Sequence, residues 1–282
     1  MKKIILLVVV LLLAVVPIVM LTMKDQIAGW FTPDAENAEE AEGDEVATPY
    51  YQLREMTIKM TENFKESISN GESCSGHVHI VTPDSVCEEM IHSNYIDFHS
   101  KYPNISIKFT TADTSAMFDM LDHNEADAII TLDSHSYRND YIIAKEELLP
   151  MHFVTGSGSK FANRRGLKMR DIASEPFILT EYGQGYRRVL DKELAKKSLE
   201  ITPVLEIGRT DIITHILAKS NMISYLPDFV TGDLIESGEL CYLDVCDIEI
   251  DIWKQLIYHK NKWMSKTLKT VIEYIKLHEF SK

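Results

Sequence analysis

The chain has 282 residues, 45% of them hydrophobic, enough for a packed core without disulfide or metal staples. Its formal net charge is −14, and Lys and Arg do not cluster into a basic stripe, Arg164-Arg165 and Arg187-Arg188 being no more than pairs, so direct nucleic-acid binding is not expected. Cys74, Cys87, Cys241 and Cys246 form no C-x-x-C pair and stand at no zinc-finger spacing, and Cys241 and Cys246 would point to opposite faces of one strand, which argues against a local disulfide.

Ile4 to Met23 is an uncharged run of about 20 residues, the length that crosses a hydrocarbon core. Pro17 inside it is tolerated in a transmembrane helix. Lys2 and Lys3 precede the run, and after Lys24 no basic residue occurs until Arg54, so the N-terminus is expected inside and the rest outside. Cleavage as a signal peptide is the alternative, although no A-x-A site follows. The expectation is therefore a transmembrane anchor over 1–24, spanning the membrane through 4–23.

Residues 25–48 read as an acidic linker. The stretch from Thr32 to Thr48 carries seven acidic residues and no basic ones, too little bulk and too much like charge to fold alone. Residues 49–71 then predict a linker helix, with Leu53, Met56, Met60, Phe64 and Ile68 on one stripe and Gly71 as its stop. That stripe needs a partner, either the following domain or the same helix of another subunit.

From Gly76 onward strands and helices alternate. Strands are expected at 77–82, 105–110, 127–132, 148–155, 176–180, 204–207, 222–226 and 248–259. Helices are expected at 85–101, 115–123, 186–197, 210–219 and 265–279. This order predicts an α/β fold with parallel sheets covered by helices.

The order also carries a resemblance. A strand after Gly76, a helix closing on Phe98, Tyr102-Pro103 before a strand, Asn124-Glu125-Ala126-Asp127-Ala128-Ile129, then Pro176-Phe177-Ile178-Leu179, Gly183-Gln184-Gly185-Tyr186-Arg187-Arg188, Leu226-Pro227 and Gly238-Glu239-Leu240 resemble a LysR-type effector-binding domain over about 76–280. The family's winged helix-turn-helix has no counterpart in this reading; the apolar run and acidic spacer stand in its place. Its usual leucine-proline early in the first helix is replaced near Glu88-Glu89, and its usual glycines before the Leu-Pro strand by Ser220 and Met222. The resemblance implies two Rossmann-like lobes joined by two crossover strands, a type 2 periplasmic binding protein-like fold. Lobe one would be 76–148 and 245–282, and lobe two 150–242. It further implies a small-molecule ligand in the interlobe cleft, no cofactor, and a homodimer formed through Ser85–Lys101 and Ile105–Thr110.

Ligands in open α/β sheets sit at the C-terminal ends of strands, where helix N-termini present unpaired N–H groups. The expected ligand-binding residues are Thr82, Asp84 and Ser85 after the first strand, and Asp113, Thr114 and Ser115 after the second. Thr131 lies on the third. Glu181, Tyr182 and Gln184 come from the turn after 176–180, and Arg209 and Thr210 from the last turn. Ser85 with Glu88, Thr114 and Thr210 can equally be helix caps. Asp84, Asp113, Glu181 and Asp211 favour a cationic or zwitterionic ligand if they face the cleft, and say nothing if they only complement helix dipoles. Ser157-Gly158-Ser159 is no nucleophile elbow, and neither a P-loop nor H-E-x-x-H occurs, so catalysis is not expected. His77 and His79 share a strand face, as surface decoration or a metal pair.

Overall fold

The computed structural model describes residues 74–280. The expected anchor, acidic linker and linker helix, all before residue 74, lie outside the described residues, among which no helix is long and apolar enough to cross a membrane.

The first sheet has the order β2-β1-β3-β10-β4. Strands β1 (Gly76–Thr82), β2 (Ile105–Thr111) and β3 (Ala128–Asp133) are parallel, while β10 (Ile252–His259) runs antiparallel to both β3 and β4 (Tyr141–Leu149). Val78, Ile80, Ile130 and Leu132 pack on one face beneath α1 (Asp84–Ser93), α2 (Tyr95–Lys101) and α8 (Lys266–His278). Val81 and Ile129 on the other face meet Met117, Phe118 and Leu121 of α3 (Thr114–Asp122). That two-sided burial is why β3 reads as a continuous apolar run rather than an alternation.

Pro150 separates β4 from β5 (Met151–Gly156), so the single strand expected at 148–155 is two strands belonging to different sheets. In the second sheet β5 lies antiparallel between β8 (Ile223–Pro227) and β9 (Leu240–Tyr242). A parallel bridge from Phe177 to Ile223 attaches the short pair β6 (Ile178–Leu179) and β7 (Leu205–Glu206). Val154, Ile178, Leu226 and Leu240 pack with Ile213 and Leu217 of α6 (Thr210–Leu217) and with α7 (Asp228–Glu236). Phe177 and Leu179 face Leu190 and Leu194 of α5 (Gly185–Lys196), and α4 (Met169–Ile172) closes the flank.

Three expectations need correction. The sheets are mixed rather than parallel, because β10 and β5 each run against their neighbours. The helix expected over 85–101 breaks at Asn94 (φ −130°), whose carbonyl accepts from the Tyr274 hydroxyl at 3.2 Å and whose amide donates to Glu279 at 2.8 Å. The return to the first sheet begins later than 245: Val245 still bridges Leu167, and Asp247 accepts from the Met169 amide at 2.8 Å, so β10 starts only at Ile252. The cysteines are free thiols.

Candidate functional site

The C-terminal ends of β1, β2 and β6 each feed a helix N-terminus, and the α1, α3, α5 and α6 starts converge where the two sheets' layers meet. Gly185, the first residue of α5, lies so close to lobe one that a Cβ there would stand 2.2 Å from the Leu132 carbonyl oxygen and 2.9 Å from Thr114 Oγ1. A Cβ on Gly183 would stand 3.2 Å from Asp113 Cβ. Arg188 donates to the buried Asp133 carboxylate at 2.5 Å across the same seam. The two glycines of the 183–185 turn thus let the lobes approach closely, Gly185 against the backbone of β3 and Gly183 against the Asp113 side chain.

Beside this seam the two lobes bring a cluster of polar side chains together. Lobe one contributes Thr82, Asp84, Ser85 and Glu88, and lobe two contributes Glu181, Tyr186, Arg209, Thr210 and Asp211. Arg209 forks onto Asp211 at 2.9 and 2.6 Å and reaches Asp84 of the other lobe at 3.7 Å. Burial leaves Asp84 above the usual carboxylate range despite the pull of Arg209, with smaller repulsions from Asp211 and Glu181 adding to it. Glu88 is raised by burial and by Asp211 and Asp84. Asp211 is held low by its hydrogen bond from Arg209. Tyr186 is buried beside Thr180; burial and the nearby Asp84 push its phenol well up.

The capping readings separate cleanly. Asp113 is the cap of α3 and accepts from the Ala116 amide at 2.9 Å. Ser85, Thr114 and Thr210 cap nothing: α1 and α6 start after Pro83 and Arg209, neither with a side-chain cap bond. The hydroxyls of Thr82, Ser85 and Thr210 are buried, at 0%, 4% and 1% residue exposure, and have no hydrogen-bond partner. An unpaired buried hydroxyl costs roughly 1–3 kcal/mol, so several in one place mark a surface shaped for something polar.

Of the sequence-derived residues, the fold gathers Thr82, Asp84, Ser85, Glu181, Arg209 and Thr210 into or beside this cluster. Asp113, Thr114 and Gln184 belong to the packed seam beside it. Ser115 is exposed on α3. Thr131 shares the Ile129 face of β3, opposite the face of Thr82. Tyr182 is 69% exposed and lines a separate outer groove of about 390 Å³ with Arg187, Leu199 and Pro203. Glu88 and Tyr186 were not among the expected ligand contacts; Glu88 was read as a cap partner, and Tyr186 follows the glycine whose close approach turns its ring inward. His77 and His79 form no pair: His77 bonds Ser106, whereas His79 is buried between the Glu125 carbonyl and Thr110. Among the described residues no group of three metal-ligating side chains occurs.

Residues 71–278 match the family described as LysR substrate binding domain. The chain belongs to this family. Its curated relatives include the HTH-type transcriptional regulator YwqM of Bacillus subtilis, 23% identical over 77% of this chain and 73% of that one. They also include the HTH-type transcriptional activator CmpR of Synechocystis, 22% identical over 65% of this chain and 60% of the relative. Among solved structures, the Synechocystis CcmR regulatory domain in complex with 2-PG superposes with a TM-score of 0.60 at 18% identity, covering 72% of this chain and 97% of that one. The effector binding domain of QuiR in complex with shikimate gives 0.57 at 14% identity, covering 73% and 97%. This LysR-type domain thus has the two-lobed, periplasmic-binding-protein-like fold of its family's regulatory domains.

Proposed function

We propose that this protein is a sensor that binds a metabolite in the interlobe groove without altering it. The observation that carries the reading is the pair of buried, partnerless hydroxyls at facing helix starts, Ser85 on α1 and Thr210 on α6, one from each lobe. A ligand touching both would hold the lobes together, and closure would be the signal. The effector complexes of CcmR and QuiR support ligand binding by this architecture. A thermal-shift screen against metabolites of both charge signs tests it, because a ligand specific to the folded state must raise the melting temperature. Thr210→Tyr, which fills the groove, and the milder Ser85→Ala are each expected to abolish or weaken any hit. Hits unchanged in both variants would place binding elsewhere.

The uncharged run at 4–23 and the acidic spacer behind it support an anchored receptor with its binding domain outside the membrane, acting as a homodimer. The names of the relatives favour a second reading, a transcription regulator acting inside the cell beside a DNA-binding partner. Protease treatment of intact cells separates the two: digestion of the domain before lysis supports the receptor, and protection until lysis supports the regulator. Solute delivery to a transporter is a third use of the same groove, and would require a cognate permease to bind the loaded form.

A further inference from the structure

We propose that the groove selects a small organic cation rich in N–H donors, such as a diamine or polyamine, over a carboxylate or phosphate. The inference rests on the groove being the ligand site. Four carboxylates gather about Arg209, Asp84 and Glu88 from lobe one and Glu181 and Asp211 from lobe two: Arg209 stands 3.7 Å from Asp84 and 2.6 Å from Asp211, Glu181 lies against Gly208 next to it, and Glu88 feels both Asp211 and Asp84. The basic groups among them are Arg209, whose fork is already committed to Asp211 at 2.9 and 2.6 Å, and His92 beside Glu88. Arg187, on the far side of Tyr186, is spent on Asp191 at 2.9 Å, Glu206 at 3.5 Å and the Thr180 carbonyl at 3.0 Å.

Complementing helix dipoles does not account for this set. Each helix N-terminus carries roughly half a positive charge and its effect fades within one turn. That suits Asp84 and Asp211, both in a first turn, but Glu88 lies beyond the first turn of α1 and Glu181 lies outside any helix. The negative charge exceeds what the helix starts and Arg209 together offset. A second observation is independent of charge: Thr82, Ser85 and Thr210 keep buried, unpartnered hydroxyls within two residues of Asp84 or Asp211. Hydroxyl lone pairs and carboxylates are both acceptors, and an ammonium offers three donors and no acceptor.

Calorimetry and thermal shift on the full chain with putrescine, spermidine, succinate and inorganic phosphate, at low and physiological ionic strength, test the inference. The expected result is binding of putrescine or spermidine, weakened by salt. Asp84→Asn, Glu88→Gln and Ser85→Ala should each cut that affinity about tenfold. Asp140→Asn, a surface carboxylate outside the groove, controls for diffuse attraction to an acidic chain and should leave it unchanged. Equal weakening by Asp140→Asn would overturn the proposal, as would silence from both amines. If succinate or phosphate alone binds and Ser85→Ala weakens it, the cation class fails while the groove stands. If the amines bind but no groove variant matters, the site itself fails.

Discussion

A carboxylate whose pKa is raised by folding is a charge that the fold holds at a cost. Asp84 and Glu88 are raised by burial first, with neighbouring carboxylates adding to it. The folded state then holds more protons than the unfolded chain between the ordinary carboxylate pKa of about 4 and the raised one. Stability contributed by these groups is therefore present below the unfolded value and lost as pH rises through the folded value. Asp84→Asn and Glu88→Gln are expected to raise the melting temperature of the unliganded protein at neutral pH, with the gain fading toward pH ~4. Melting curves across that range check this; a gain independent of pH would assign it to packing. The pairing of better stability with poorer ligand binding is the pattern of a charge kept for recognition. Gly185 makes the complementary case in packing. A methyl group there meets the Leu132 carbonyl, a backbone atom that cannot rotate away, so Gly185→Ala should destabilise by about 1–3 kcal/mol or force the lobes apart, which denaturant titration and small-angle scattering would tell apart.

At the scale of elements, α1, α2 and β2 leave an apolar face uncovered in one subunit. Ile91, Tyr95 and Ile96 are 42%, 39% and 78% exposed, and β2 is a sheet edge flanked by half-buried Ile107 and Phe109. An open edge beside exposed isoleucines is the feature that pairing with a second subunit hides. Ile96→Glu, on the surface of α2, is expected to shift the full chain from dimer to monomer in analytical ultracentrifugation without lowering its melting temperature at high dilution; a protein already monomeric would sink the side-by-side dimer. The same elements show where sequence stops informing. A strand buried on both faces, such as β3, announces itself by an apolar run, and α8 by its stripe. The edge strand β4 does not: Tyr141–Glu147 alternates weakly and carries Lys145, Glu146 and Glu147, a composition that protects an edge but hides a strand. The break at Asn94 depends on Tyr274 and Glu279, about 180 residues away, and no local pattern encodes it. Among the expected contacts, position in a strand-to-helix turn brought Thr82, Asp84, Ser85, Glu181, Arg209 and Thr210 into one cluster. Tyr182 and Ser115 lie outside that cluster, because a turn names the neighbourhood while the direction of each side chain is set by the packing around it.

At the scale of the whole molecule, contacts between the lobes include the glycine seam, the packing of α7 on α1 with Lys254 over the Phe229 ring, the Arg209–Asp84 pair at 3.7 Å, and the Arg188–Asp133 pair at 2.5 Å. The two ion pairs differ in burial. Asp133 is 4% exposed, and apart from Arg188 it accepts only from its neighbour Ser134, at 2.7 and 3.2 Å. Arg188 itself is more than half exposed, so removing it leaves a buried carboxylate half-satisfied, and the cheapest relief is for the lobes to part and admit water to Asp133. Leaving such a group short of a partner costs about 1–3 kcal/mol, and each 1.4 kcal/mol is a factor of about ten in population. Arg188→Ala should therefore shift the balance toward separated lobes by about ten- to a hundredfold. Two signatures are expected together: a larger radius of gyration without ligand, and a groove ligand bound more weakly by a similar factor, since affinity falls with the population of the competent state. Arg188→Lys should restore much of both. An unchanged radius with weakened binding would instead put Arg188 in contact with the ligand, and an expanded protein that binds as tightly as before would mean that the two walls of the groove do not act together.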